Sequence, residues 1–315
     1  MTLNCSVSIL IPVYNRQDLI GPCIQSALDQ TLSPLEIVVV DNDSTDATWE
    51  VCRSYAQRDE RVRIFRNSSN IGPVRNWLRC IEEARGEYGK LLFSDDLIYP
   101  EYLARTVPVL SRSDVGFVYS AVMMGPEPGA AQVAYQWIDH AGVFPADDYI
   151  EAALNATHVP FSPGAAMFRL RDLQKNLVLS IPGSVLTDFP DHGAGPDLLL
   201  SLLTAQEYAY VAHLPEPLAF FRAHAQSIST IYQGWYIYRR YQQARIWFAA
   251  ETGRTTALRE LLAGMWLSEC RNEHRLMLPA KCIRQYTNRP VWSWRAVARL
   301  FVTRLRTVLQ RRYHV

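Results

Sequence analysis

The stretch that decides the fold of this chain reads Val7-Ser8-Ile9-Leu10-Ile11-Pro12-Val13-Tyr14-Asn15. Its first five residues form a nearly continuous apolar run, which is typical of a strand buried on both faces of a sheet. Apolar residues at helical spacing follow between Arg16 and Gln30, and a second buried strand is predicted over Leu35–Val40. Strand, helix and strand in this order indicate a parallel sheet with crossover helices.

The alternation of strands and helices continues beyond residue 40. The further predicted elements are a helix over Ala47–Gln57, a strand over Val62–Phe65, a helix ending at Ala84, strands over Tyr88–Phe93 and Val115–Ser120, a loop around Gly125–Gly129, a helix over Pro196–Ala205 and a helical pattern from Gly234 onward. We therefore predict an α/β domain over residues 1–230, with halves 1–112 and 113–230. A helical C-terminal region is predicted over residues 231–315.

Bulk composition is that of a globular protein, with 49% hydrophobic and 20% charged residues among 315. The six cysteines are scattered and form no C-x-x-C pair, so we expect reduced packing residues in a reducing compartment. The apolar run Val7–Val13 has no basic segment before it, and no apolar stretch approaches the roughly 20 residues that span a bilayer. We therefore expect a cytoplasmic protein without a signal peptide or a transmembrane helix.

Charge is distributed unevenly along the chain. Residues 1–274 carry 22 basic and 31 acidic side chains, whereas residues 275–315 carry ten basic and no acidic ones. In residues 289–315, apolar positions at helical spacing alternate with seven arginines, which suits a helix lying on an anionic membrane surface. A helix packed on the preceding domain with a solvated basic face explains the pattern equally well. The acidic body argues against a nucleic-acid partner.

Polar residues follow the predicted strands at the edge where parallel sheets bind ligands. The second strand ends at Asp41-Asn42-Asp43-Ser44-Thr45-Asp46, and the fourth ends at Ser94-Asp95-Asp96. Two carboxylates at a strand end suit a hard divalent cation that also bridges phosphate oxygens. A turn and a helix N-cap are the structural alternatives for both clusters.

These strand ends, together with Asn70-Ile71-Gly72 and Arg75-Asn76, resemble the ordered motifs of family 2 inverting glycosyltransferases with the GT-A fold. The resemblance covers about the first 230 residues and implies a mixed sheet flanked by helices. It implies a metal-dependent transferase that uses Mn²⁺ or Mg²⁺ and a UDP- or dTDP-sugar donor. The implied acceptor is a hydroxyl of a glycan or lipid-linked molecule, as in O-antigen, capsule or exopolysaccharide synthesis on the cytoplasmic face of the inner membrane.

The resemblance also implies roles for individual residues. Asp96 and His224, the latter within Arg222-Ala223-His224, are the implied metal ligands, and Arg222 braces the acidic site. The implied nucleotide-sugar-binding residues are Pro12, Tyr14, Asn15, Arg16, Asp41, Asn42, Arg75 and Asp95. Asp41 and Asn42 face the nucleobase in this scheme, and Asp95 faces the ribose or the donor sugar.

An inverting transfer needs a carboxylate that takes the proton of the attacking hydroxyl. By resemblance, Asp197 in Gly195-Pro196-Asp197 opens a helix under the acceptor site and is the predicted base, with Asp188 and Asp191 as nearby alternatives. Many relatives carry another acid two positions before Asp95, where this chain has Phe93, and a second Asp where it has Asn42.

Three other classes of protein are alternatives to this interpretation. A sugar nucleotidyltransferase usually has a glycine-rich basic loop after its first strand, and Pro12-Val13-Tyr14-Asn15-Arg16 lacks one. A Rossmann oxidoreductase needs G-x-G-x-x-G at the same place, and the motif is absent. A catalytically weak or non-catalytic binding protein at a membrane stays open, because the first acid of the metal motif is missing.

Overall fold

The structure is a computed structural model that describes residues 7–157, 159–182, 186, 188–224, 234–274, 276–289 and 291–302. The chain divides into two compact units. Unit 1 comprises residues 1–179 and 188–232, and unit 2 comprises residues 180–187 and 233–315.

Unit 1 is built on one large sheet. Its strands are β1 (Val7–Val13), β2 (Leu35–Asp41), β3 (Val62–Arg66), β4 (Tyr88–Leu91), β5 (Leu97–Ile98), β6 (Val115–Gly125), β7 (Gln132–Ala134), β8 (Gly142–Pro145), β9 (Ala166–Arg169) and β10 (Tyr210–Arg222). The main path runs β3-β2-β1-β4-β9-β6-β10-β5, with β7 beside β6 and β8 beside β10. Strands β1 to β4 are parallel to one another, whereas β9 runs antiparallel to both β4 and β6.

Helices flank this sheet and connect its strands. They are α1 (Ile20–Leu28), α2 (Thr48–Arg58), α3 (Pro73–Glu83), α4 (Tyr102–Leu110), α5 (Ala146–Leu154), α6 (Leu170–Asn176) and α7 (Pro196–Glu207). All seven residues of β1 are buried, because helices cover both faces of a parallel sheet. The five described cysteines are free, as predicted, and four of them are buried.

The carboxyl ends of the first three strands lie level with one another. Val13 of β1 is paired with Asp41 of β2, and Asp41 is paired with Arg66 of β3. The polar segments that follow these strands therefore meet at one edge of the sheet, as the sequence predicted.

Several predicted boundaries shift by a few residues. The first helix begins at Ile20 instead of Arg16, because the N–H of Arg16 donates to Thr48 Oγ1 and residues 17–19 form a turn. Strand β4 ends at Leu91, two residues early, because a turn follows in which the N–H of Asp96 donates to the carbonyl of Phe93. Strand β6 extends to Gly125, five residues beyond its predicted end.

The opposite end of the sheet contains a compact polar cluster around Glu36. The carboxylate accepts hydrogen bonds of 2.6 Å from Ser8 Oγ, 2.6 Å from the N–H of Arg85 and 2.7 Å from the guanidinium of Arg63. Burial opposes ionisation, yet these three bonds together lower the pKa of Glu36 below its ordinary value. The cluster therefore fixes β1, β2 and β3 to one another near their amino-terminal ends.

Unit 2 is helical, as predicted for this part of the chain. Its helices include α8 (Trp235–Glu251), α9 (Thr255–Asn272) and α10 (Pro279–Tyr286), and residues 294–302 are helical as well. The indoles of Trp292 and Trp294 pack edge-on against Trp266, with centroids 5.7 and 5.8 Å away. Of the predicted basic segment 289–315, residues 290 and 303–315 lie outside the described residues. No helix in the described ranges has the length and apolarity needed to cross a bilayer.

Candidate active site

The loops after β1 and β2 are bound to each other by polar side chains. The N–H of Asn15 donates to Ser44 Oγ at 2.9 Å, and Asn15 Oδ1 accepts from the N–H of Thr45 at 2.8 Å. Asn15 has a φ of 49°, in the left-handed region that Asn tolerates better than most residues. Asn15 thus fixes the turn that carries Tyr14, whose side chain is 40% exposed at the site.

Pro12 and Arg16, both predicted to line the donor site, have different surroundings. Pro12 lies inside β1, paired with Val40, and is buried. Its ring is therefore part of the sheet and not of the open surface, and β1 extends two residues beyond the apolar run Val7–Ile11 from which the strand was predicted. The half-exposed guanidinium of Arg16 donates to the carbonyl of Asn15 at 3.0 Å.

Asp41 lies fully buried at the end of β2. Arg66 Nε lies 3.2 Å from its Oδ2, and the N–H of Ser44 approaches both oxygens at 3.3 Å. Burial raises the pKa of Asp41, although the Ser44 hydrogen bonds and the charge of Arg66 oppose the shift. The structure therefore places Asp41 at the predicted nucleobase end of the sheet with an arginine beside it.

Four asparagine side chains, Asn42, Asn67, Asn70 and Asn76, form an amide network at the same edge. Asn42 Nδ2 donates to Asn70 Oδ1 at 2.9 Å, and Asn42 Oδ1 accepts from Asn67 Nδ2 at 2.9 Å and from the N–H of Ile71 at 3.0 Å. Asn76 Nδ2 donates to the carbonyl of Val40 at 3.0 Å. Both amide groups of Asn42 are occupied, so its side chain supports the loop and does not itself present a free edge to a base.

A cavity of ≈ 500 Å³ lies above this network. Its lining residues are Asn70, Ile71, Gly72, Arg75 and Asp191. Arg75 Nη1 lies 3.5 Å from Asp191 Oδ1, and both side chains are about half exposed. Arg75 is therefore poised at the rim of a cavity, where a planar guanidinium can bind phosphate or a base.

The acidic residues after β4 meet the end of β10. His224 Nε2 lies 2.8 Å from Asp95 Oδ2, and the N–H of Arg222 donates to Asp96 Oδ1 at 2.9 Å. Arg222 Nε also donates to the carbonyl of Asp95 at 3.3 Å. Burial, followed by repulsion from Asp95, raises the pKa of Asp96 well above its ordinary value. The structure thus brings Asp95 and Asp96 together with Arg222 and His224. In the sequence, 126 positions separate Asp96 from Arg222.

Two adjacent carboxylates and an imidazole form a donor set that suits Mn²⁺ or Mg²⁺. A bound cation would relieve the repulsion between the buried Asp96 and the partly buried Asp95. Within the described ranges no three His, Cys, Asp or Glu side chains are arranged so as to enclose an ion by themselves. The residue types therefore fit a divalent cation, which Asp96 and His224, with Asp95 beside them, would hold.

Asp197, the predicted base, lies in the first turn of α7. Its Oδ1 accepts from the N–H groups of Gly195 at 2.9 Å and Leu198 at 2.7 Å, which orients the half-buried carboxylate. Asp191 instead faces Arg75, and Asp188 Oδ1 lies 3.5 Å from the buried His192. Of the three candidate acids, Asp188 and Asp191 thus each lie beside a basic partner.

Two side chains near the acidic pair were not predicted from the sequence. Lys90, fully buried in β4, donates to the carbonyl of Gly164, and its ammonium lies 4.4 Å from the centroid of the Tyr102 ring. Burial lowers the pKa of Lys90 to about 7, against the attraction of Asp96. The only feature of the sequence that could have indicated a role for Lys90 is its charge within an otherwise apolar strand. The second is Tyr135, which follows β7 with a φ of 57° and gave no signal in the sequence.

The mixed sheet flanked by helices is a GT-A fold, as the solved structures described below show. The chain belongs to glycosyl transferase family 2, whose family model matches residues 8–177.

Individual relatives match over shorter stretches. Glycosyltransferase GlyG of Streptococcus pneumoniae is 33% identical over 36% of this chain and 37% of its own length. A poly(ribitol-phosphate) beta-glucosyltransferase of Bacillus spizizenii is 39% identical over 31% of this chain and 16% of its own length. The chain thus matches well under half of the length of these relatives.

Solved structures extend the likeness to most of the chain. Residues 1–349 of TarS from S. aureus, in complex with UDP-GlcNAc, superpose with a TM-score of 0.64. The superposition covers 89% of this chain and 78% of that one at 17% sequence identity. It confirms the predicted GT-A fold, a mixed sheet flanked by helices with a helical C-terminal region.

Proposed function

We propose that this protein transfers a sugar from a nucleoside-diphosphate donor, a UDP- or dTDP-sugar, to a hydroxyl of a glycan or lipid-linked acceptor with inversion at the anomeric carbon. The observation that carries the proposal is the meeting of Asp95, Asp96 and His224 at one strand end. The TarS structure with UDP-GlcNAc supports UDP as the nucleotide, because it shares the fold. The catalytic domain in this proposal spans residues 1–230, and residues 231–315 form the helical region.

The residues of the first half bind the nucleotide. Tyr14 flanks the base, Asp41 with Arg66 lies at its edge, and the asparagine network shapes the wall that carries Arg75. The main chain of residues 12–16 completes this surface, and Asn15 and Arg16 hold it in place. This division of roles leaves Asn42 and Pro12 as supporting residues without a direct contact to the donor.

Residues of both halves serve the transfer itself. Asp95, Asp96 and His224 would hold a divalent cation, which would supply positive charge to neutralise the departing diphosphate. Arg222 holds Asp96 through its main chain and reaches the Asp95 carbonyl with its guanidinium. Asp197, fixed by two backbone N–H groups, accepts the proton of the acceptor hydroxyl as it attacks the anomeric carbon. The electrostatic contribution at the diphosphate is expected to be the largest.

Nucleotide binding tests the proposal directly. Thermal unfolding is followed with UDP or dTDP, each with and without Mn²⁺; a ligand at 100 times its Kd adds about 2.7 kcal/mol of stability. Asp96→Ala should abolish the Mn²⁺-dependent part. Asp114→Ala, which removes an exposed acid at the opposite end of β6, should retain it. Absence of stabilisation by either nucleotide in the unmodified protein, with Mn²⁺ or Mg²⁺, would refute the proposal.

We further propose that the acceptor belongs to surface-polysaccharide synthesis and that the protein acts at the cytoplasmic face of the inner membrane, bound through residues 289–315. The beta-glucosyltransferase of B. spizizenii, named for poly(ribitol-phosphate), supports this class of acceptor. Trp294 and Phe301 are 61% and 62% exposed, and Arg295 and Arg299 are exposed in the same helical segment. Apolar and basic side chains exposed together suit an anionic bilayer surface.

Vesicle binding tests the membrane contact. Replacing Arg295 and Arg299 together by Ala should weaken binding to phosphatidylglycerol vesicles by about 2 kcal/mol, roughly 30-fold, if each contributes about 1 kcal/mol. Phosphatidylcholine vesicles should bind neither form. Replacing Arg53 and Arg58 in α2 removes the same charge from unit 1 and should change nothing. Equal binding of both double variants would contradict the contact.

A further inference from the structure

Tyr135 adopts a backbone conformation that is unusual for its residue type. It follows β7 directly, and its φ of 57° lies in the left-handed region. Asn15 and Asp43 also have positive φ near this site, but their short polar side chains tolerate it. A bulky aromatic residue there is strained, and such strain is concentrated at functional sites. The end of β7, which pairs antiparallel with β6, thus fixes the position of Tyr135 at a cost in backbone energy.

The ring of Tyr135 is packed toward the acidic pair. It lies edge-on to Phe221, with centroids 5.5 Å apart. Phe221 directly precedes Arg222, whose N–H binds Asp96. A Cβ added to Gly164 would lie 3.1 Å from the Phe221 ring and 3.2 Å from the Phe93 ring, so both rings lie against the same bare backbone. Phe93, Tyr135 and Phe221 therefore form an aromatic wall beside Asp96.

The phenol of Tyr135 lies within electrostatic range of both acids that the proposed transfer uses. Burial and then the charges of Asp197 and Asp96 raise the pKa of Tyr135. No described protein group donates to or accepts from its hydroxyl, so the group is available to a ligand. The reacting sugar has to lie between the base and the diphosphate. The Tyr135 ring lies beside that position, because it contacts Phe221, the residue before Arg222, whose N–H binds Asp96.

We infer that Tyr135 binds the sugar that is transferred, with its hydroxyl hydrogen-bonded to a sugar hydroxyl and its ring, together with Phe93 and Phe221, against the sugar. This inference rests on the proposed function. It assigns Tyr135 to the sugar and not to the nucleotide. Removal of the Tyr135 hydroxyl should therefore lower the affinity for sugar nucleotides and leave the affinity for the free nucleotide unchanged. Phe93 supports the assignment, because many relatives carry an acid at this position. In this chain an aromatic ring stands there, and a sugar ring can pack against it.

Calorimetry with Mn²⁺ present compares UDP with UDP-glucose, UDP-galactose, UDP-GlcNAc and UDP-GalNAc. For the sugar nucleotide that the unmodified protein binds most tightly, Tyr135→Phe should weaken binding about 5- to 10-fold, the range of one lost hydrogen bond. The Kd for UDP should stay within twofold. Tyr210→Phe is the matched control, since Tyr210 is exposed at the start of β10 and faces Arg112.

Two further variants separate the side chain from the strained backbone. Tyr135→Ala and Tyr135→Gly both remove the ring and hydroxyl, but only Gly is relaxed at this φ. Equal loss of sugar-nucleotide binding in both supports the side-chain role, whereas recovery in the Gly variant overturns it. An unchanged Kd in Tyr135→Phe, equal loss for UDP, or no preference of the unmodified protein for any sugar nucleotide over UDP also overturns it. Failure to bind either UDP or dTDP refutes the proposed function as well.

Discussion

The backbone N–H of Arg222 donates a 2.9 Å hydrogen bond to Oδ1 of Asp96 and so joins the end of β10 to the acid that follows β4. Because the donor is the main chain, the orientation of Asp96 does not depend on the side chain at position 222. The Arg222 guanidinium binds the carbonyls of Asp95 and Pro126 instead. Asp96 is thus held by the fold, while Arg222 adds positive charge next to it.

Asp96→Asn should separate stability from ligand binding. The amide keeps an acceptor for the Arg222 N–H and removes a buried charge next to Asp95, so the thermal midpoint should stay equal or rise. Mn²⁺-dependent UDP affinity should fall by more than the roughly 10- to 100-fold seen when residues that merely orient metal ligands are changed. Calorimetry and thermal unfolding measure the two quantities. Undiminished affinity would remove Asp96 from the metal site.

Asp197→Asn should retain donor binding and lose turnover. A positioned general base contributes typically about 100- to 10,000-fold, so the rate of sugar transfer, or of slow donor hydrolysis, should drop at least about 100-fold. Asp188→Asn and Asp191→Asn are the matched variants, since these acids lie beside His192 and Arg75. A larger rate loss in either of them than in Asp197→Asn would reassign the base.

Asn42→Asp should destabilise the protein, although an acid is common at this place among relatives. The Asn42 amide donates to Asn70 Oδ1 and, at 3.4 Å, toward the carbonyl of Gly72. A carboxylate cannot donate and would face both acceptors, which should cost about 1 to 3 kcal/mol in the free energy of unfolding. Urea denaturation measures it. Asn155→Asp, at an exposed site, should change stability by less than about 0.5 kcal/mol, and equal effects in the two variants would contradict the network.

Glu36→Gln should cost stability in a pH-dependent manner. The folded-state pKa of Glu36 is lowered from its ordinary value of 4.5, so the stabilising contribution is present above pH 4.5 and is lost as the pH falls through the folded-state value. At pH 7 glutamine has one acceptor oxygen in place of two, so it cannot accept from Arg63 and from Ser8 and Arg85 at the same time, and the substitution should cost about 1 to 3 kcal/mol. Denaturation at pH 7 and pH 4 measures the difference, which should narrow at the lower pH. A constant difference would place the loss outside the ionisation of Glu36.

The first half of the sheet and its ligand edge could be predicted because local signals coincide there. Buried β-branched runs, amphipathic helices and polar residues at strand ends all indicate the same parallel arrangement over β1 to β4. Helix α7 was predicted from Pro196 onward and runs to Glu207. The pairing of β9 between β4 and β6 gave no comparable signal in the sequence. A strand of only four residues is too short for its alternation of side chains to be recognised.

The contacts within the site were harder to predict than its location. Residues Asp95 and His224 were assigned to different ligands, yet their side chains lie 2.8 Å apart in the structure. Asn42 was predicted to form hydrogen bonds with the nucleobase, whereas in the structure hydrogen bonds with Asn67 and Asn70 occupy its amide. Both outcomes depend on contacts between segments distant in sequence, which periodicity and motif spacing do not encode.

Four side-chain amides bind residues 67–76 to the end of β2 through hydrogen bonds. We therefore expect the cavity wall formed by Asn70, Ile71 and Gly72 to keep the same shape when a ligand binds. A surface fixed in advance loses little conformational entropy upon association. Capture of a ligand on this side should therefore resemble rigid-body docking. Its rate should be governed by diffusion and orientation, with no slow ordering step in the loop.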